Sequence, residues 1–239
     1  MSEQKILAAI SGVAFVVGML IFGGFYYSAQ SVNTKDNFAV TGSAKTRVTA
    51  DQGKLIINLS RIAPAANLST GYSQVAHDLS LTRELLKKAG IADENIAESP
   101  VSMNQVYDQN TFSDLRYQLS QTVTVQSGDV NKITDISKQV PSLAAQGAII
   151  SVQSLEYYYS KLPDLRVSLL TEAVKDAKAR AEKIAAGTGR QVGSVQAASS
   201  GVVQVLPPDS VDVSDYGSYD TSSIEKDVMV TVKASFRLK

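Results

Sequence analysis

The chain has 239 residues, 44% of them hydrophobic, and its 23 Lys and Arg balance 23 Asp and Glu. That length supports one packed domain or a bilobed one, and the zero net charge leaves no basic footprint for nucleic acid. The absence of cysteine excludes thiolate chemistry, disulfides and cysteine-ligated metals; the single histidine, His77, excludes a His-rich metal site within one chain and is the one residue a Ser-His-Asp triad could use.

Residues 6–27, ILAAISGVAFVVGMLIFGGFYY, carry no charge. At about 1.5 Å per residue such a helix crosses a hydrocarbon core about 30 Å thick. It is apolar on every side, unlike a globular surface helix, and Tyr26 and Tyr27 fall where an interfacial aromatic belt would sit. A cleaved signal peptide is the rival reading: its apolar core runs only about 7–15 residues, but Ala29-Gln30-Ser31 offers a weak small-x-small site, so a cleaved secreted form stays open. Lys5 and the α-amine against Glu3 on one flank, and Lys35 beside Asp36 on the other, favour an N-terminus inside and the bulk outside. That placement disfavours reactions consuming ATP or NADPH. The expected division is a flank at 1–5, an anchor at 6–27, a tether at 28–37 and a folded domain at 38–239.

From residue 38 to 50, Phe38, Val40, Ala44 and Val48 alternate with Thr41, Ser43, Lys45 and Arg47, the period of a strand with one wet face. The turn signal Asp51-Gln52-Gly53 and a second strand at 54–62 predict a hairpin. A helix over 67–89 follows from Leu68, Tyr72, Val75, Leu79 and Leu86, with Lys87 and Lys88 at its negative end and Gly90 as left-handed cap. Strands are predicted at 99–107 and 115–126, with Leu115, Tyr117, Leu119, Val123 and Val125 on one face of the second. Asp129 caps a helix over 130–145 striped by Val130, Ile133, Ile136, Val140 and Leu143; Pro141 should shorten it and Gly147 end it. A strand at 149–159 ends in Tyr157-Tyr158-Tyr159, and the longest helix, 164–186, shows a seam of Val167, Leu170, Val174, Ala177, Ala181 and Ile184, while Ala173, Ala177 and Ala181 would allow close approach to a sheet or another helix. A strand at 191–205 leads into a Ser- and Asp-rich stretch, 207–223, that reads as a mobile acidic loop. In the last strand Val228, Val230, Val232, Ala234, Phe236 and Leu238 alternate with a wet face of Asp227, Met229, Thr231, Lys233, Ser235 and Arg237. The order ββαββ-αβαββ predicts an α+β fold, with helices laid on mainly antiparallel sheet. The helix-Gly-strand steps at 90–91 and 147–148 leave a degenerate duplication open.

Little of this carries chemistry. AEKIAAGTGRQVGSV, 181–195, gathers Gly187, Gly189 and Gly193 beside Arg190, but a phosphate cradle needs strand, turn, then helix N-terminus. Here the helix comes first and offers its negative end, so the glycines read as a helix stop. His77 sits on the wet face of its helix. Asp108, Asp114, Asp209, Asp212, Asp215 and Asp220 read as solvated loop acids without EF-hand spacing. No catalytic, cofactor or metal residues are expected. Tyr107, Tyr117, Tyr157, Tyr158 and Tyr159 are candidates for an interaction surface, against sheet packing as the bland alternative.

Three segments resemble one family. VTGSAKTRVTADQGKLIINLS (40–60) resembles the opening of SIMPL-domain proteins, LLKKAGIADENIAESPVSMNQVYD (85–108) their Gly-Ile segment, and AVKDAKARAEKIAAGTGRQVGSV (173–195) their Ala-rich helix. Asn95, Glu98, Gln105, Gln52 and Gly53 depart from the usual pattern, at turns. The resemblance implies a bacterial extracytoplasmic protein, exported or anchored in the inner membrane, that forms large oligomers, with links to envelope or oxidative stress and no catalytic residues to carry over. The expectation is thus a non-enzymatic, self-assembling, membrane-anchored envelope protein. A ligand- or partner-binding envelope module is the alternative, and an uncharacterised enzyme the remote one.

Overall fold

The computed structural model describes residues 15–27, 37–106, 115–210 and 214–239. In chain order the elements are helix α1 (residues 15–27), β1 (Asn37–Thr49), β2 (Gln52–Pro64), α2 (Leu68–Lys88), β3 (Ile96–Glu98), β4 (Ser102–Val106), β5 (Arg116–Ser127), α3 (Val130–Gln139), β6 (Ile150–Tyr158), α4 (Leu162–Gly187), β7 (Val192–Ser200), β8 (Gln204–Leu206), β9 (Ser218–Tyr219) and β10 (Glu225–Leu238). The fold is α+β with two mostly antiparallel sheets. One runs β1-β10-β8-β9, with β7 also on β10; the other runs β3-β5-β2-β6, with β4 also on β5. The chain forms two compact units, one of Met1–Ala44, Ser168–Gly201 and Val230–Lys239, the other of Lys45–Val167 and Val202–Met229.

The larger unit is built on β2, which pairs antiparallel with β5 and β6. Its odd residues Leu55, Ile57 and Leu59 are fully buried with Val123 and Val125 of β5, under Leu86 of α2 and Ile133 and Ile136 of α3. Each such side chain contributes about 1.5–3 kcal/mol of apolar burial. The Asp129 cap is present, its carboxylate accepting from Lys132 N at 3.0 Å. α3 stops as an α-helix at Gln139, and Pro141 sits in the 3-10 segment that continues to Gln146. Gly90 and Gly147 both take positive φ (72° and 82°), and Ile91 N and Ala148 N reach back to Leu86 O and Leu143 O. The two helix stops share one geometry, favoured by glycine because a Cβ resists it.

Four expectations need correction. The hairpin of β1 with β2 does not form, because the two strands join different sheets. At the corner Ala50 N donates to Ile224 O at 2.8 Å and Asp51 N to Tyr158 O at 3.0 Å, and the Asp51 carboxylate takes Ser160 N and Oγ at 2.8 and 2.6 Å. These partners redirect the chain instead of reversing it. In α2 the buried face is Gly71, Val75, Asp78, Thr82 and Leu86, while Tyr72 is 42% exposed. Asp78 turns inward because Arg61 of β2 donates to both its oxygens at 2.7 Å. In α4 the buried face is Leu169, Ala173, Ala177, Ala181 and Ala185, and Val167, Val174 and Ile184 of the expected seam are exposed. Within the smaller unit the backbone of α4 lies so near β1 that a Cβ on Gly42 would fall 2.2 Å from Ala173 O. So close an approach favours small side chains on the facing side of α4, and Ala173, Ala177 and Ala181 supply them. The strand expected over 191–205 is two strands, β7 and β8, meeting different stretches of β10.

Around the glycines of 181–195 the structure agrees with the sequence: α4 ends at Gly187, Gly189 has φ 72°, and Arg190 N reaches Ala185 O at 2.9 Å. The predicted anchor is described only from residue 15, and the predicted tether only at Asn37; the rest of both lies outside the described residues.

Candidate functional site

In the larger unit the tyrosines of β6 point alternately to the two faces of the sheet, as strand geometry requires. Tyr157 is buried beneath α3, its hydroxyl 2.5 Å from Thr134 Oγ1. Tyr158 is on the opposite face. Its hydroxyl donates to Glu156 Oε2 at 2.6 Å, and its ring lies 6.0 Å from that of Tyr219. Glu156 also accepts from Ser154 Oγ at 3.0 Å and pairs with Lys54 at 3.4 Å. The Tyr158 bond, followed by those of Ser154 and Lys54, outweighs burial and lowers the Glu156 pKa. The same bond, with burial, pushes the Tyr158 hydroxyl up to about 12. Tyr117 and Tyr159 are half-buried, and Tyr107 lies outside the described residues. Tyr157 and Tyr158 therefore do not share one surface; Tyr158 and Tyr219 meet, a pairing that sequence spacing could not show.

Two ionic clusters hold the segment expected as an acidic loop. Lys226 is fully buried and donates to Asp220 O and Ser223 O, both at 2.6 Å. The Asp220 carboxylate accepts from Ser222 N and Oγ and from Ser223 N and Oγ. Burial raises its pKa, but the serine bonds and the Lys226 charge outweigh that and leave it well below the usual carboxylate range. Burial lowers the Lys226 pKa. Its neighbour Asp227, expected on the wet face, is 1% exposed. Its oxygens meet Arg47 Nε at 2.8 Å, Lys45 Nζ at 2.7 Å and Asp209 N at 2.9 Å. Arg47, then Lys45, hold it well below the usual range. Asp209, at φ 62°, also accepts from Arg47 Nη2 at 2.6 Å. Both clusters are saturated with partners and read as fastenings. The sequence signal for them was three consecutive charged residues, Glu225-Lys226-Asp227, opening an alternating strand, so that each face of the strand receives a charge.

His77 is exposed on α2, and Asp108, Asp114 and Asp212 lie outside the described residues. Among the described residues no three His, Cys, Asp or Glu are grouped to hold a metal ion. An open groove of about 620 Å³ is lined by Arg83, Glu84, Lys87, Asp93, Ile96 and Glu98. Two of these lining residues pair with each other, Arg83 donating twice to Glu98 at 2.6 Å.

An α+β domain of two sheets, fastened by ion pairs, is the class these features define. The chain belongs to the SIMPL family, described as proteins of unknown function (DUF541), whose pattern matches residues 38–236. No curated protein matches the chain. Among solved structures it is similar to a Burkholderia cenocepacia protein named as an amidohydrolase/peptidase, at 14% identity and a TM-score of 0.28, covering 48% of this chain and 31% of that one. It is also similar to a hydantoinase/carbamoylase-family amidase from Burkholderia multivorans, at 12% identity and a TM-score of 0.24, covering 49% and 29%. The chain thus spans about a third of the length of the solved proteins it matches. Likeness this slight brings neither fold nor chemistry to the chain.

Proposed function

We propose that this SIMPL-family chain is a single-pass, inner-membrane-anchored bacterial protein whose domain lies outside the cytoplasm and acts by self-assembly, without catalysis. The carrying observation is the uncharged run 6–27. Its described part, α1, leaves every large apolar side chain open, from Phe15 at 67% to Tyr27 at 78%. Among the described residues no helix is long and apolar enough to cross a membrane; the run continues through residues 6–14, outside them. So much apolar surface calls for lipid or a partner. Self-assembly draws support from β7, which pairs with β10 alone among the described strands and leaves Val195 50% exposed. A role in envelope stress rests on the resemblance alone.

The test is alkaline carbonate extraction of membranes from cells making the full chain, with intact mass to read the N-terminus. The expected result is an uncleaved chain retained in the pellet and released when residues 6–27 are deleted. A full-length chain in the soluble fraction, or a mature N-terminus beyond residue 27, would overturn the anchor. Sedimentation of the detergent-extracted chain should show a multimer; a strict monomer would overturn assembly.

A further inference from the structure

The sheet of the larger unit has two faces of opposite character. α2 and α3 cover the one that carries Leu55, Ile57 and Leu59. On the other, the strand register sets Asn58 beside Thr122, Ser60 beside Ser120, and Ser120 beside Ser102. Gln118, next in line on β5, donates to Ser60 Oγ at 2.9 Å. Ser102, Asn104 and Gln118 are exposed, and the central Asn58, Ser120 and Thr122 are half-buried, as on an uncovered sheet. Charge is confined to the margins, with the Lys54–Glu156 pair at one end and Arg116 at the other.

An open sheet face ordinarily carries charged residues, which keep it soluble and discourage pairing. Their absence has a physical use. A charge taken out of water against a neutral partner loses its hydration uncompensated, whereas hydroxyls and amides exchange water for partner hydrogen bonds at little net cost. Asn58, Thr122 and Asn104 have no side-chain partner among the described residues, so their hydrogen-bonding capacity faces outward. The positions repeat at about 4.8 Å across strands and about 6.8 Å along them, a regular grid suited to an extended chain. At the margin stands Tyr158, its ring fixed through Glu156 and beside Tyr219, which is 43% exposed. Such a ring offers an apolar plane with a polar edge. A second copy packing sheet on sheet would need an apolar inner face. This face supplies only Ile56 and the 57% exposed Ile62 as large apolar side chains across its central strand.

We infer that this open face docks a neutral polysaccharide chain, with Asn58, Ser120 and Thr122 hydrogen-bonding sugar hydroxyls and Tyr158 stacking on a ring at the margin. The inference stands on the sheet and does not depend on the anchor.

The test is pull-down of the full chain, in a detergent without a sugar headgroup, on microcrystalline cellulose and on chitin. The wild type should be retained on at least one of them, with little change over a tenfold rise in salt. Thr122→Lys, which sets a charge in the middle of the face, should weaken retention about tenfold, and Tyr158→Ala about fivefold. Glu172→Gln on exposed α4 should leave it unchanged, and circular dichroism should show all three variants folded. No retention of the wild type on either polymer, retention equal in folded Thr122→Lys, or loss of retention with salt would each overturn the proposal. So would a Thr122→Lys chain that changes sedimentation while cellulose and chitin binding stay absent, since the face would then join copies of the chain.

Discussion

The two units bury their helices by opposite means. In the larger, α2 and α3 meet the sheet through Leu, Ile and Val, filling the space between with branched side chains. In the smaller, α4 comes down on β1 through Ala173, Ala177 and Ala181 against Gly42, with Val40, Ala234 and Phe236 completing the cluster. The first interface is sensitive to lost volume and the second to added volume, because close packing tolerates neither void nor overlap.

Single substitutions can break that contrast. Ile57→Ala removes a fully buried side chain and should cost about 2–5 kcal/mol in urea unfolding. Gly42→Ala adds one methyl where only backbone lies opposite, and should cost about 1–3 kcal/mol, with Gly42→Val costing more. A neutral Gly42→Ala would show that α4 can lift from β1 freely, and the contrast would fail.

A smaller effect lies in pH. Asp220 and Asp227 are both held below the ordinary value of 3.8 in the folded chain. A depressed carboxylate contributes stability that is present above its unfolded pKa and lost as pH falls toward the folded one. The urea midpoint should therefore be flat above about pH 5 and fall below about pH 4. Asp227→Asn should start lower at neutral pH and fall less steeply. An acid limb identical in slope to the wild type would remove Asp227 from the account.

What was legible in the sequence was periodic and local. The alternation of β10 placed Val228, Val230, Val232, Ala234 and Phe236 in the core, and the Asp129 cap and the Gly90 and Gly147 stops stand where expected. What was missed depends on partners distant in sequence. Asp78 faces inward only because Arg61 waits there, and Asp227 because Lys45 and Arg47 do. In α4 the close approach through Ala173, Ala177 and Ala181 was legible, whereas Val167, Val174 and Ile184 of the expected seam are exposed, because the nearness of Gly42 favours small side chains over the larger ones that usually mark a core. The candidate tyrosines were visible as a cluster, but strand alternation divides them, and the Tyr158–Tyr219 pairing needed the fold.

The central claim, an anchored chain with its domain outside the cytoplasm, has a direct measurement, since the chain has no cysteine of its own. Single cysteines can be placed at the N-terminal flank (Ser2→Cys) and on the exposed side of α4 (Lys183→Cys), and probed in intact spheroplasts with a membrane-impermeant maleimide. The account predicts that Lys183→Cys is labelled at once and Ser2→Cys only after lysis. Labelling of Ser2→Cys alone before lysis, or protection of both, would contradict it.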